Sequence, residues 1–250
     1  MIAYLVLFFV VATIYASQKL GGIPTLIALL VLLPFTAYET KILALVLTTV
    51  VILLMLIQSV HVPLSRLVDA ALVLIAAIPF VILGAGISIA DNVFFFLFGC
   101  AFLLSSLFMF IEFKSDGRKR MHKGGLIVGA AAIGFFTGLT GMVGSILLLP
   151  ILQIYNWKEK DEIVLFSSVF VLITSFLAIF VTYKSGSSFN IKMISFYSLA
   201  VIFGNFVGRR IEITYLNPHI LRNVTALFLL GFGVVLMYNY GSTVLKLIDI

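Results

Sequence analysis

Polar residues in this chain come in short clusters, and between them the sequence is almost continuously apolar. The apolar runs cover roughly 2–18, 22–38, 42–59, 67–89, 93–113, 124–156, 163–183, 191–208 and 219–240. Turn formers and charges separate them, as in Ser17-Gln18-Lys19, Tyr38-Glu39, His61-Val62-Pro63 and Asp91-Asn92. The longer runs approach the roughly 20 residues that a helix needs to cross a ~30 Å hydrocarbon core. They do not alternate at period two, which argues against a β-barrel. Backbone groups in lipid must be satisfied within their own segment, so runs of this kind are expected to be helices. The pattern predicts an all-α, polytopic transmembrane helical bundle with about 8–10 membrane segments.

The order of features repeats. Leu20 to Tyr38 ends in a polar turn and is followed by Ile42 to Val50, which carries Thr48-Thr49. Gly124 to Tyr155 also ends in a polar turn and is followed by Ile163 to Val169, which carries Ser167-Ser168. Later, Val81-Ile82-Leu83-Gly84 matches Val201-Ile202-Phe203-Gly204, and both halves close on a Phe/Leu-rich run. Such order is the mark of an internal duplication. It divides the chain into a first transmembrane repeat (1–113), a basic linker (114–123) and a second transmembrane repeat (124–250).

The stretch from Glu112 to Lys123 carries five Lys/Arg, and the positive-inside rule places it in the cytoplasm. If residues 2–38 and 124–156 each make two passes, each half crosses five times and the halves are inverted. Lys19, Arg66, Lys158, Lys160, Arg209, Arg210 and Arg222 then lie inside, and only Lys41, Lys184, Lys192 and Lys246 outside. With one broken pass per stretch there are eight crossings, and the Arg209/Arg210/Arg222 group moves outside. The charge split favours inverted repeats; half-helices that never cross fully are the other reading of the short segments.

Composition excludes whole classes of function. Of 250 residues, 62% are hydrophobic and only 10% charged, against about 25% charged in a soluble domain. A soluble enzyme cannot hide that much apolar surface. The net charge of +6 sits in gaps between apolar runs, which is a topology signal and not a groove for nucleic acid. The apolar run from Met1 to Ala16 lacks a basic n-region and a cleavage site, so it reads as a retained segment. Cys100, the one cysteine, lies in an apolar run and reads as a packed thiol. His61, His122 and His219 are spaced too far apart for a metal site, and no Walker motif or Ser/His/Asp set is present. No catalytic role and no cofactor are expected. Glu39, Asp69, Asp91, Glu112 and Glu212 all lie near segment ends, where carboxylates are solvated, and Trp157 with Tyr155 forms an interfacial belt.

The most informative string is Gly134-Phe-Phe-Thr137-Gly138-Leu-Thr140-Gly141-Met-Val-Gly144-Ser145-Ile-Leu-Leu-Leu-Pro150. Glycines three or four apart share a helix face and on their own indicate close helix packing. Glycine is costly inside helices and proline removes an N–H, so the helix is expected to break near 141–145. A break exposes backbone N–H groups at a positive helix end, which suits an anion. This string, the Ser167-Ser168 helix and Gly204-Asn205-Phe-Val-Gly208-Arg209-Arg210 resemble the sulfite exporter TauE/SafE-like family of membrane permeases. In that family each half opens on a glycine motif ending in a proline. An Ala/Ser/Thr-rich helix and a Gly-x-x-x-Gly segment before a basic turn follow. The resemblance spans about 2–240 and is fuller in the second half; the first keeps Leu20-Gly21-Gly22-Ile23-Pro24-Thr25. It implies a secondary transporter of small anions, such as sulfite or organosulfur and organic anions, in the cytoplasmic membrane. A channel-like anion pore and a non-transporting scaffold subunit are the rivals, and homo-oligomerisation stays open.

The expected site joins Gly138, Gly141, Gly144 and Ser145 to Gly21, Gly22 and Thr25 near the midplane, with Thr137, Thr140, Ser167 and Thr48 adding hydroxyls. For Ser167-Ser168 and Thr48-Thr49 the ordinary alternative is bonding back to a carbonyl four residues earlier. Asn205 is the deeper polar group near Arg209, and Arg209 either meets the anion at the cytoplasmic mouth or snorkels to headgroups. The five-plus-five scheme is tested by labelling single cysteines at Ser17, Thr140 and Ser187 from each side of the membrane. It expects the Arg209–Arg222 turn inside; finding that turn outside contradicts it.

Overall fold

The computed structural model describes residues 2–18, 22–59, 68–110, 123–154, 160–184, 191–211 and 218–248. Gly21, the linker residues 114–122 and the 155–159 segment lie outside the described residues. Among those described, every regular element is a helix: α1 (Ile2–Ser17), α2 (Ile23–Leu30), α3 (Ala37–Ser59), α4 (Val68–Gly86), α5 (Asp91–Phe110), α6 (Lys123–Thr140), α7 (Val143–Ile154), α8 (Lys160–Lys184), α9 (Ile191–Arg210) and α10 (Pro218–Ile248).

Five of these, α3, α5, α8, α9 and α10, are long and apolar enough to cross a membrane. Helix α1, the 73–86 part of α4 and the 124–140 part of α6 are apolar but shorter. With 8 and 12 residues, α2 and α7 rise only about 12 and 18 Å at 1.5 Å per residue, less than a bilayer core. They are half-helices. Large apolar side chains stay exposed along the outer faces, among them Leu107, Phe203, Phe206, Leu227 and Val234. In water that surface would aggregate, and in a bilayer it meets acyl chains. The chain is a multi-pass membrane protein.

The contacts resolve two compact units, each drawing on both halves of the sequence: residues 1–47, 89–111 and 189–250 form one, and residues 48–88 and 112–188 the other. In the first unit α1 packs on α9 and α5 on α10; in the second α4 packs on α6 and α8. The partners follow a rule when α1–α5 are matched to α6–α10. The first helix of each half packs against the fourth helix of the other half.

Glycine makes both of these crossings. A side chain on Gly204 would sit 2.5 Å from the Phe9 carbonyl oxygen of α1, and one on Gly208 would strike the Thr13 carbonyl. In the other unit Gly84 of α4 lies against the Phe135 carbonyl, and Gly138 of α6 against the Val81 carbonyl. So Gly84 and Gly204, aligned by sequence, do the same work. With no hydrophobic drive between helices in lipid, such close backbone approach and its Cα–H···O contacts supply the packing. On α5 and α10, Gly99 and Gly233 approach each other, Ser106 Oγ donates to the Ala226 carbonyl at 2.9 Å, and Arg222 Nε donates to the Met109 carbonyl at 2.8 Å. Cys100 contacts Met237 at 3.5 Å, a packed thiol.

Replacing Gly84 or Gly204 by leucine is expected to abolish monodisperse protein, because the obstruction is backbone and cannot move aside. Gly231→Leu, where nothing lies within 4 Å, should leave the elution profile and melting temperature of the purified protein unchanged.

Candidate functional site

Among the described residues, two glycines have a left-handed backbone, Gly22 at φ 60° and Gly141 at φ 82°. Each stands where the first helix of its half gives way to the short second one. Only glycine takes this conformation without cost. Gly141 N–H closes α6 on the Thr137 carbonyl at 2.8 Å, and Ser145 N–H opens α7 on the Met142 carbonyl at 3.0 Å. The break expected near 141–145 is therefore present and two residues wide. A helix start leaves its first amides without partners in the helix, which at α7 are those of Val143 and Gly144. At α2, Leu26 N–H bonds the Gly22 carbonyl at 3.0 Å, and Pro24 has no N–H to satisfy.

The hydroxyls around α7 are not free donors. Thr137 Oγ1 donates to the Ile133 carbonyl at 2.6 Å and Thr140 Oγ1 to the Phe136 carbonyl at 2.7 Å. Ser145 Oγ donates to the Met142 carbonyl at 2.6 Å, and Ser167 Oγ to the Ile163 carbonyl at 2.7 Å. Each has one proton, and it is spent on the backbone. What these groups turn outward is oxygen, which does not attract an anion. Thr48 differs: its buried Oγ1 has no hydrogen-bond partner. Gly138 is occupied by the α4 crossing. Gly144 lies over Thr137, whose Oγ1 would be 2.7 Å from a side chain placed there, so glycine lets the first turn of α7 close on α6. Thr48, Thr137, Gly138, Thr140, Gly141, Gly144, Ser145 and Ser167 fall in the second unit; Gly22, Thr25, Asn205 and Arg209 fall in the first.

In the first unit, Thr25 belongs to a buried chain of hydroxyls. It donates to Tyr15 Oη at 2.7 Å, and Tyr15 bonds Thr225 Oγ1. Thr225 gives its own proton to the Leu221 carbonyl at 2.8 Å, so Tyr15 must be the donor to Thr225. This chain ties α1, α2 and α10 together. The ring of Tyr15 also covers Gly22, where a Cβ would come within 2.5 Å of its Cγ. Tyr15 and Thr225 were not legible as site residues, because a single Tyr or Thr in an apolar run carries no spacing signal. Asn205 and Arg209 lie one turn apart on α9; Asn205 Oδ1 and Arg209 Nε are buried without a partner. Ser198 on α9, and Ser175 and Thr182 on α8, share that property and escaped the sequence reasoning.

The family model of the sulfite exporter TauE/SafE matches residues 4–236. A probable membrane transporter protein, y4hK of Sinorhizobium fredii (strain NBRC 101917 / NGR234), is 24% identical over 244 residues, covering 92% of this chain and 96% of that one. No solved structure matches.

Tyr15→Phe keeps the ring over Gly22 and deletes the link in the hydroxyl chain. It should destabilise the protein by about 1–3 kcal/mol, the cost of a broken buried hydrogen bond. The measurement is chemical or thermal unfolding in detergent. Thr225→Val should cost less when added to Tyr15→Phe than alone; full additivity of the two would mean that the groups are not coupled.

Proposed function

As a member of the sulfite exporter TauE/SafE family the chain is a membrane transporter, and we propose that its cargo is a small oxyanion or organosulfur anion such as sulfite. The observation that supports this most is the α6–α7 break. It leaves the first amides of α7, those of Val143 and Gly144, without partners within the helix at the positive end of a half-helix, and no Lys or Arg lies between Lys123 and Lys158. A site without cations of its own binds weakly. A helix terminus contributes about 0.3–1 kcal/mol when exposed and up to ~2 kcal/mol when partly buried. Weak, dipolar binding lets a carrier release what it binds. A fixed cation of full charge at the same place would hold the anion too long.

The family name and the helix end agree on the sign of the cargo, and the chain carries no nucleotide-binding motif to drive it. The chain is therefore read as a secondary transporter, whose cargo moves down its own gradient or is driven by the gradient of a coupled ion. No bond in the cargo is made or broken. The chemistry is desolvation of an anion and its repayment by amides.

Val143→Pro tests the role of the amides. Proline is tolerated in the first turn of a helix, as Pro24 already is in α2, and it removes one N–H from the start of α7. The variant should fold as the wild type does and bind sulfite several-fold more weakly in a titration of the purified protein. Unchanged affinity in a well-folded variant contradicts an anion site at this helix start.

A further inference from the structure

Three polar atoms on α9 are buried and have no hydrogen-bond partner: Ser198 Oγ, Asn205 Oδ1 and Arg209 Nε. Their spacing of seven and four residues puts them on one face of the helix. The line begins in the last turn of α9 and runs about 16 Å, roughly half a bilayer core, to the middle of the helix. Gly204 and Gly208, on the neighbouring face, take the contact with α1. Asn205 is only 3% exposed.

Two of the three groups, Ser198 and Arg209, have a local way to satisfy themselves that they do not use. On the same helix Ser195 Oγ donates to the Ile191 carbonyl, four residues back, at 2.9 Å. Ser198 has the same option, yet its hydroxyl is turned elsewhere. Arginines in a last helical turn commonly reach the final carbonyls, whereas Arg209 Nε makes no bond. Buried polar atoms left this way are costly, and three on one line call for one partner that visits all three.

We propose that Ser198, Asn205 and Arg209 form the path by which a singly charged oxyanion that still carries an O–H moves along α9. This rests on the anion-transport function proposed above and adds the residues and the protonation state of the cargo. The guanidinium of Arg209 supplies one positive charge and a fork that pairs with two oxygens. Asn205 decides the protonation state. A carboxamide offers a donor edge and an acceptor edge, whichever way it is turned. A fully deprotonated oxyanion satisfies only the donor edge. A hydrogen-oxyanion accepts from Nδ2 and donates its own O–H to Oδ1, so both edges are paired. Asn205 and Arg209 are about 6 Å apart along the helix axis, close enough for one small oxyanion to touch both. Ser198 lies about 10 Å farther in, a separate step for the same ion, and its hydroxyl can both donate and accept. Arg210 is exposed and outside the line.

The test uses purified full-length protein, titrated near neutral pH with sulfite, which is then partly hydrogensulfite, and with sulfate, which carries no O–H. The wild type should prefer sulfite. Asn205→Leu and Arg209→Gln should each weaken sulfite binding at least about tenfold, the scale of a lost charge-assisted hydrogen bond. Arg210→Gln should not change it, and Ser198→Ala should keep binding but slow flux in proteoliposomes. Arg209→Lys, which keeps the charge and loses the fork, should fall between wild type and Arg209→Gln and controls for folding. Wild-type binding of sulfite that survives in both Asn205→Leu and Arg209→Gln overturns the path while leaving anion transport standing. Equal affinity for sulfate and sulfite removes the O–H requirement and overturns the proposal as stated. An effect of Arg209→Gln confined to vesicles containing phosphatidylglycerol assigns the arginine to a headgroup and overturns it too. No binding of any anion by the wild type contradicts the transport function itself.

Discussion

Inside a bilayer no water is available to a backbone N–H, so each peptide group must find its partner in the protein. That constraint shapes nearly everything described above. It makes the apolar runs helices. It makes the two places where a helix stops and a short one begins, at Gly22 and Gly141, exceptional. It also explains the glycines at 84, 138, 204 and 208, which admit a neighbouring carbonyl where a side chain would exclude it. Where lipid gives helices no hydrophobic reason to associate, contact between backbones supplies the reason.

The same constraint sorts the hydroxyls into three kinds. Thr137, Thr140, Ser145 and Ser167 give their protons to carbonyls of their own helices. Thr25, Tyr15 and Thr225 give theirs along a chain that ends on the Leu221 carbonyl. Thr48, Ser175, Thr182 and Ser198 have buried hydroxyls without partners. Thr40 and Ser105 belong to this third kind as well. Under the proposed function, the amides that open α7 and the side chains of Asn205 and Arg209 are the donors offered to a passing anion. The first two kinds hold the scaffold. The two short helices, α2 and α7, therefore start in different surroundings. The start of α2 is closed over by Tyr15 and drawn into a hydroxyl chain, while at the start of α7 the atoms nearest a side chain placed on Gly144 are those of Thr137.

Much of the fold was legible in the sequence, because a bilayer imposes length and polarity so strongly. The apolar runs, the helix break before Gly144 and the matching Gly84 and Gly204 all follow from spacing. The candidate site was legible in sequence only as a set of residues. Asn205 and Arg209 stood out as polar groups beside a glycine pair, and the structure places them a turn apart on one helix. Gly138 also stood out, but spacing alone cannot tell a glycine that admits a ligand from one that admits a carbonyl. The direction of a hydroxyl proton is invisible in sequence, so Thr137, Thr140 and Ser145 read as donors although their protons are spent. Tyr15 was missed because its partner Thr225 is 210 residues away.

In the proposed mechanism, transport rests on neutral dipoles at a helix start and a single arginine at the end of α9, an arrangement suited to brief binding of an anion. A brief-binding carrier must also exchange. The most direct measurement is counterflow in proteoliposomes loaded with unlabelled sulfite and diluted into labelled sulfite. Labelled sulfite should accumulate transiently inside, saturating with its outside concentration and absent from protein-free vesicles. Entry that is linear in concentration, with no overshoot, would contradict a carrier that binds and exchanges its anion.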